Sequence, residues 1–150
     1  MTRLETLYDE LHNENISVHD YHFSKTKKAA CFKDGDIETI IIDKAALHDS
    51  AEEYSLIAEE YAHYETESLY TIEPSFNEPF ARMLRIAAEG KAKRHAINKH
   101  IPFNESFKRE FERCVYADGL DIYELADRFN MTVDFVKRAI EHYDSQGYKW

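Results

Sequence analysis

The chain has 150 residues, of which 43% are apolar, and a formal net charge of −10 at neutral pH. This length and composition suit one compact core, with room for a small appended lobe. The negative charge argues against direct binding to nucleic acid or to an anionic membrane, because phosphate contacts require clustered Lys and Arg. No apolar run approaches the roughly 18 residues that a membrane span needs.

The two cysteines, Cys31 and Cys114, lie far apart in the sequence, with no C-x-x-C pairing. The N-terminal segment is acidic and lacks the apolar stretch of a secretory signal. We therefore expect a reduced, cytoplasmic protein with no membrane partner.

The chain begins with a predicted helix. Thr2 followed three residues later by Glu5 is a capping-box pattern. The leucines that follow form one apolar stripe at helical spacing, which predicts a helix over residues 3–13.

A β-hairpin is predicted next, over residues 29–43. Asp34-Gly35-Asp36 separates two short apolar segments, and Asp-Gly tolerates the positive φ that a tight turn requires. The unbroken run Ile40-Ile41-Ile42 indicates a strand covered on both faces. We expect this hairpin to be the only sheet, small and largely antiparallel, and to lie against the helix that follows.

The most informative stretch is Ala58-Glu59-Glu60-Tyr61-Ala62-His63, in a helix whose start we assign to a capping box at Ser50. Four residues apart on a helix, Glu59 and His63 project from one face and can reach a single metal ion. Zinc proteases place two ligands at this spacing and use the intervening Glu, here Glu60, as a general base toward water.

The motif alone is weak evidence for a metal. Two acidic residues followed by a His occur on many solvated helix faces, so a surface helix is the competing interpretation. The helix is apolar on more than one side, which indicates a buried helix: Tyr54, Ile57, Ala58 and Tyr61, with Leu56 alongside. Buried carboxylates must reach solvent, pair with a base or bind a cation, and this is the physical argument for a metal.

A long second helix is predicted over residues 79–99, after a loop over residues 66–79 and with Asn77 as its cap. Five apolar residues are expected to face inward: Phe80, Met83, Leu84, Ile86 and Ala87. Glu89 is expected to face the interior as well, close to the carboxylates of the motif helix. These carboxylates would repel one another unless a cation lay between them.

The last third of the chain is predicted to be helical, with three N-caps: Asn104, Asp121 and Thr132. The first of these helices is expected to end at Gly119. Residues 125–140 resemble a helix-turn-helix. Residues 118–143 carry a net charge of −3, however, which is a poor match to phosphate. We therefore expect a packing or protein-docking lobe and no direct nucleic-acid contact. The tail over residues 145–150 is expected to be mobile, with docking of its aromatic residues as the alternative.

The order of these features resembles the ImmA/IrrE family of metallo-endopeptidases, especially its members from prophages and conjugative elements. The family motif H-E-x-x-H is E-E-x-x-H here, and the family's Glu in an E-x-x-A-x-x-x-A-like stretch of the next helix matches Glu89. The resemblance implies a zincin-like α+β fold that is mainly helical. It also implies a metallopeptidase core over residues 1–102 and a helix-turn-helix-like lobe over residues 103–150, packed on that core.

Matched residue by residue, the resemblance implies that Glu59, His63 and Glu89 bind the metal, Zn²⁺ or another divalent ion, and that Glu60 is the catalytic base. His95 is a reserve ligand. The implied substrate is a phage-like repressor protein encoded by the same mobile element. The alternative is a non-catalytic antirepressor that binds the repressor and keeps the metal for structure. Because Glu59 replaces a His, two carboxylate ligands would neutralise the charge of Zn²⁺, and we expect weak catalysis.

Overall fold

Six α-helices and five short strands form the part of the chain that the structure, a computed structural model, describes: residues 1–24, 26–68 and 78–150. The helices are α1 (Arg3–Asn13), α2 (Ser50–Glu65), α3 (Glu78–His100), α4 (Glu105–Arg113), α5 (Ile122–Phe129) and α6 (Val133–Ser145). The strands are β1 (Ile16–Asp20), β2 (Ala29–Asp34), β3 (Ile37–Ile42), β4 (Val115–Tyr116) and β5 (Gly119–Leu120). The fold class is α+β, as predicted. None of the helices in this part of the chain is long and apolar enough to cross a membrane.

The starts of the first two long helices show one correct and one wrong capping prediction. The Thr2 hydroxyl accepts a hydrogen bond from the Glu5 N–H at 3.2 Å, and the Glu5 carboxylate accepts one from the Thr2 N–H at 2.6 Å. In α2 the N-cap is Asp49, not Ser50, and its carboxylate accepts from the Glu52 N–H at 2.8 Å. An ionised acceptor interacts favourably with the positive end of the helix dipole, which explains why the Asp caps and the Ser becomes the first helical residue.

The main sheet has three strands in the order β1-β3-β2. β2 and β3 form the predicted antiparallel hairpin, in which Asp34 pairs with Ile37 and Gly35 adopts a φ of 60° in the turn. β1 pairs in parallel with β3, so the sheet is mixed rather than largely antiparallel. β1 was not predicted, because it is short and only two of its five residues, Ile16 and Val18, are apolar.

The sheet lies against α2, as predicted. Ile40 and Ile42 in the central strand are fully buried, whereas Ile41 between them is only partly covered. The Tyr64 hydroxyl, near the end of α2, donates a hydrogen bond to the Thr39 carbonyl oxygen at 2.6 Å. This contact fixes the last turns of the motif helix to the middle of the sheet.

A second, two-stranded antiparallel ribbon, formed by β4 and β5, lies in the C-terminal third. The expectation of a single sheet is therefore wrong, and so is the assignment of a helix end to Gly119. The helix ends at Arg113, and Gly119 adopts a φ of +123° in the ribbon. Glycine suits a hairpin as well as a helix end, because both need backbone conformations that other residues rarely adopt.

α3 packs against α2 through small side chains. Ala81, Ala92 and Ala96 are buried on one side of α3. The larger side chains predicted to face inward lie on the opposite side, where three of them are 40%, 56% and 62% exposed: Phe80, Met83 and Ile86. Of the other two, Leu84 is partly buried and Ala87 is exposed. Ala92 and Ala96 belong to the common hydrophobic core, and their small side chains let the backbones of α2 and α3 approach closely. The predicted cap Asn77 and most of the predicted loop before it lie outside the described residues.

The C-terminal helices share one continuous hydrophobic cluster with residues 1–102. α6 contributes four buried residues to it: Phe135, Val136, Ala139 and Tyr143. The Tyr143 hydroxyl donates to the Ile101 carbonyl oxygen at 2.7 Å, which ties α6 to the end of α3. α5 and α6 meet at Asn130, which has a φ of 50°, and this pair has the predicted helix-turn-helix-like order.

The tail after α6 packs its two aromatic rings against the rest of the protein. The Trp150 ring stacks on Phe111 with 4.5 Å between ring centroids and an interplanar angle of 17°. The Tyr148 ring lies 4.5 Å from the Phe103 ring, and the Trp150 indole N–H donates to the Asp144 carboxylate. The aromatic residues of the tail therefore complete the packing of α4, as in the alternative prediction.

Candidate metal centre

The candidate centre lies where the last turns of α2 face the middle of α3. His63 is 8% exposed, and its Nε2 lies 3.5 Å from Oε1 of Glu89. The Glu89 side chain is 50% exposed, so it lies at the rim of the site. The prediction that it faces the interior is wrong. Two residues that are 26 positions apart by number thus meet from different helices, in a site that opens to solvent on the Glu89 side.

The orientation of the His63 ring is set by the residues that follow α2. Nδ1 of His63 lies 3.1 Å from the Ser68 hydroxyl, which in turn lies 2.7 Å from the Thr66 hydroxyl. A hydrogen bond on one ring nitrogen leaves the other free as a ligand, and metal-binding histidines almost always have such a partner. Sequence reasoning missed Ser68, because nothing local distinguishes it from an ordinary loop serine.

Glu60 is partly buried beside His63. Burial raises the pKa of its carboxyl group, and the nearby Glu89 carboxylate adds to this effect, while a hydrogen bond from Cys31 and the attraction of His63 and Lys27 oppose it. Burial and the Glu60 carboxylate also raise the pKa of the Cys31 thiol. Cys31 is therefore a protonated donor to Glu60 from strand β2. The sequence analysis used this cysteine only to infer the redox compartment.

Glu59, the first residue of the motif, has its side chain paired with the neighbouring helix α6. Its carboxylate forms an ion pair with the guanidinium of Arg138 on α6, and the two side chains are 21% and 34% exposed. Lys93 and Lys137 line the same shallow pocket. Arg138 is a second residue that sequence reasoning missed as a partner of the motif.

The remaining candidate, His95, lies six residues beyond Glu89 on α3, in a different environment. Its Nε2 lies 3.5 Å from Oε1 of Glu65, too far for a strong hydrogen bond. Glu65 also accepts a hydrogen bond from Lys99 at 2.8 Å, and the Lys99 ammonium lies 4.3 Å from the centroid of the Tyr61 ring. This group is a separate polar cluster, so His95 does not join His63.

The predicted site residues are therefore only partly brought together. His63 and Glu89 face each other, and Glu60 lies beside them. Across residues 1–24, 26–68 and 78–150, no three His, Cys, Asp or Glu side chains converge on one point where a metal ion would be held. Glu59, which was predicted as a third ligand, is paired with Arg138 instead.

The distance between His63 and Glu89 tests whether a metal fits. At the usual Zn–N and Zn–O distances of about 2.0–2.2 Å, two ligands of a tetrahedral ion lie roughly 3.4 Å apart. The 3.5 Å between Nε2 and Oε1 is close to that value, and the same atoms of His95 and Glu65 are also 3.5 Å apart, so the distance is compatible with a metal but does not single out this pair. It is long for a direct N–H···O hydrogen bond, which is usually about 2.9 Å. Two of the three predicted ligands therefore fit a metal ion, and Glu59 does not in this arrangement.

Comparisons of the chain with protein-family models, curated proteins and solved structures each found no match. A function must therefore be argued from the side chains at the site, since a fold class alone does not define one.

Proposed function

We propose that the protein is a metal-dependent endopeptidase with a zincin-like core, of the kind that its resemblance to the ImmA/IrrE family implies. The observation that carries the proposal is the pair of His63 and Glu89, whose 3.5 Å separation suits two ligands of one metal ion. Ser68 orients His63, and Glu60 supplies a carboxylate one turn before it on the same helix.

In the proposed hydrolysis of a peptide bond, each site residue would have a separate role. His63 and Glu89 bind the metal, and Glu59 joins them as the third ligand when it leaves Arg138. When bound, a divalent ion such as Zn²⁺ supplies a Lewis acid and lowers the pKa of water. Glu60 takes a proton from the water that attacks the scissile carbonyl carbon and passes it to the leaving amine as the C–N bond breaks. Burial raises the pKa of Glu60 toward the neutral range in which a general base works best.

The substrate we propose is a phage-like repressor protein in the cytoplasm. The net charge of −10 complements a basic, DNA-binding partner. β2 is an edge strand of the main sheet, and its residue Cys31 contacts Glu60. A substrate segment that adds to β2 as a further strand would therefore pass close to the general base.

The metal site is tested by the metal content of protein purified without chelators, measured by inductively coupled plasma mass spectrometry. We expect about one zinc ion per chain in the wild type, and a large loss in His63→Ala and in Glu89→Gln. Glu105→Gln is the matched control, because it removes one carboxylate from an 86% exposed side chain on α4. Equal metal content in all four proteins would contradict the proposal.

A second candidate function is a non-catalytic antirepressor, which binds the repressor and uses the metal only for structure. The observation that favours it is the ion pair of Glu59 with Arg138, which leaves two ligands at the candidate centre. Glu60→Gln separates the two functions, because it keeps the shape of the side chain and removes the base. Loss of cleavage with retained repressor binding supports the endopeptidase. Binding without cleavage in both the wild type and the variant supports the antirepressor.

A further inference from the structure

The ion pair between Glu59 and Arg138 connects the C-terminal lobe directly to the candidate metal centre. Glu59 belongs to the motif helix α2, and Arg138 lies 79 positions later on α6. Both side chains are mostly withdrawn from solvent, at 21% and 34% exposure. A charge-assisted pair in such a place is stronger than one on an open surface.

Arg138 is held in this position by its own helix. Its Nε lies 3.3 Å from the Asp134 carbonyl oxygen, and the guanidinium carbon lies 5.6 Å from the centroid of the Phe135 ring. Phe135 is 1% exposed and belongs to the face of α6 that packs on the core. The packing of α6 therefore determines where the guanidinium lies.

The Glu59 carboxylate has two possible partners. On α2, Glu59 and His63 are four residues apart and share one face, so a change of side-chain rotamer brings Glu59 toward His63 without a change in the backbone. At present the Glu59 carboxylate accepts a hydrogen bond from the guanidinium through Oε1, which holds the group beside Arg138. Glu59 cannot satisfy both partners fully at the same time.

We propose that Arg138 competes with the metal ion for Glu59, and that α6 thereby controls whether the third ligand is available. While the pair is intact, the centre has two ligands and binds metal less tightly than the completed three-ligand centre. When α6 shifts or Arg138 is engaged elsewhere, Glu59 is released and the centre is completed. This inference rests on the proposed function, since it assumes a metal at His63 and Glu89.

The test is the zinc affinity of the full-length, metal-free protein, measured by calorimetric titration in competition with a chelator of known affinity. Arg138→Gln should bind zinc roughly five- to tenfold more tightly than the wild type, because the competing partner has been removed. Lys137→Gln is the matched control: it removes the same charge from the same helix and the same pocket, but leaves the pair intact. Its affinity should change by less than about twofold.

A second pair of variants tests whether Arg138 changes the zinc affinity through Glu59. In protein that already carries Glu59→Gln, adding Arg138→Gln should leave the zinc affinity unchanged, because the residue for which Arg138 competes is gone. Arg138→Met, which keeps the aliphatic packing over Phe135, replaces Arg138→Gln if circular dichroism shows that the latter is unfolded.

The outcomes separate the two proposals. Equal zinc affinity in the wild type and Arg138→Gln overturns the competition and leaves the metal site standing. An equal gain in zinc affinity in Lys137→Gln also overturns the competition, because the gain would then come from the loss of any positive charge near the site. Absence of zinc binding in every variant overturns the metal site, and the competition falls with it.

Discussion

The Ser55 hydroxyl, in the middle of α2, accepts a hydrogen bond from the backbone N–H of Thr132 at 3.0 Å. The same hydroxyl donates to the Met131 sulfur at 3.2 Å. Thr132 is the N-cap of α6, so a buried side chain of the motif helix satisfies the backbone at the point where α6 begins. The position of Arg138 further along α6 depends on this junction.

Ser55→Ala should therefore destabilise the protein by about 1–2 kcal/mol, because it leaves a buried backbone N–H without its partner. This corresponds to a melting temperature lower by roughly 2 to 8 °C, which calorimetry can measure. Ser145→Ala is the control, since the Ser145 hydroxyl bonds to the His142 carbonyl oxygen at an exposed position. Its effect should stay within about 0.5 kcal/mol. Similar losses in both variants would contradict the role given to Ser55.

Acid should destabilise the fold through His100. Nδ1 of His100 lies 2.8 Å from the Tyr54 hydroxyl, and Nε2 is buried with no hydrogen-bond partner among the described residues. Burial lowers the pKa of His100 from its ordinary value of 6.5 to about 3, and the charges of Lys99 and Arg3 add to this effect. Between these values the unfolded chain binds a proton that the folded chain does not. The free energy of unfolding should therefore decrease as the pH is lowered from 6.5 toward 3, by up to about 1.4 kcal/mol per pH unit.

Urea unfolding between pH 6.5 and pH 5 measures this contribution. His100→Gln cannot take up the proton, and its amide oxygen can still accept from Tyr54, so its stability should depend less steeply on pH than that of the wild type. His12→Gln, at an exposed position on α1, serves as the control and should follow the wild type. Parallel curves for the wild type and His100→Gln would exclude His100 as the cause.

Zinc should stabilise the folded protein if the proposed centre binds it. At a free concentration of a hundred times the dissociation constant, the gain is roughly 2.7 kcal/mol. For a chain of this length that raises the melting temperature by about 5 to 10 °C. Glu89→Gln should lose most of the rise, because it removes one of the two carboxylate ligands proposed for the centre. Identical melting of both proteins with and without zinc would count against Glu89 as a ligand.

The helix-turn-helix-like pair α5 and α6 should not bind DNA appreciably. Phe135 and Val136 of α6 are buried in the core and Arg138 is paired with Glu59. Residues 118–143 carry a net charge of −3. In fluorescence anisotropy with random duplex at low salt, we expect no binding tighter than tens of micromolar. A submicromolar complex would show that this lobe is a DNA-binding module after all.

The parts of the fold that the sequence predicted are those that depend on nearby residues. Asn104, Asp121 and Thr132 each cap the predicted helix by accepting the N–H three residues later, at 2.9, 3.0 and 3.2 Å. Apart from the cap of α2 and the end of α4, which are local, the errors concern contacts between distant segments. β1 is a strand because of its parallel pairing with β3, and Phe80 is exposed because the alanines of α3 occupy the contact with α2.

The same distinction between local features and distant contacts applies to the candidate site. The spacing of Glu60 and His63 is local, and the pairing of successive helices brings Glu89 to them. The capture of Glu59 by Arg138 joins residues 79 positions apart, and no short pattern in the sequence indicates it. Whether these side chains bind a metal and hydrolyse a peptide bond stays a prediction, to be decided by the variants above.

The stacking of Trp150 on Phe111 also has a practical consequence, because Trp150 is the only tryptophan in the chain. The intrinsic tryptophan emission of the protein comes entirely from the aromatic cluster on α4, and release of the tail into water would shift it to longer wavelength. Circular dichroism follows the helices as a whole. Recorded together, the two signals reveal whether the end of the chain detaches before the helices melt, without any added fluorophore.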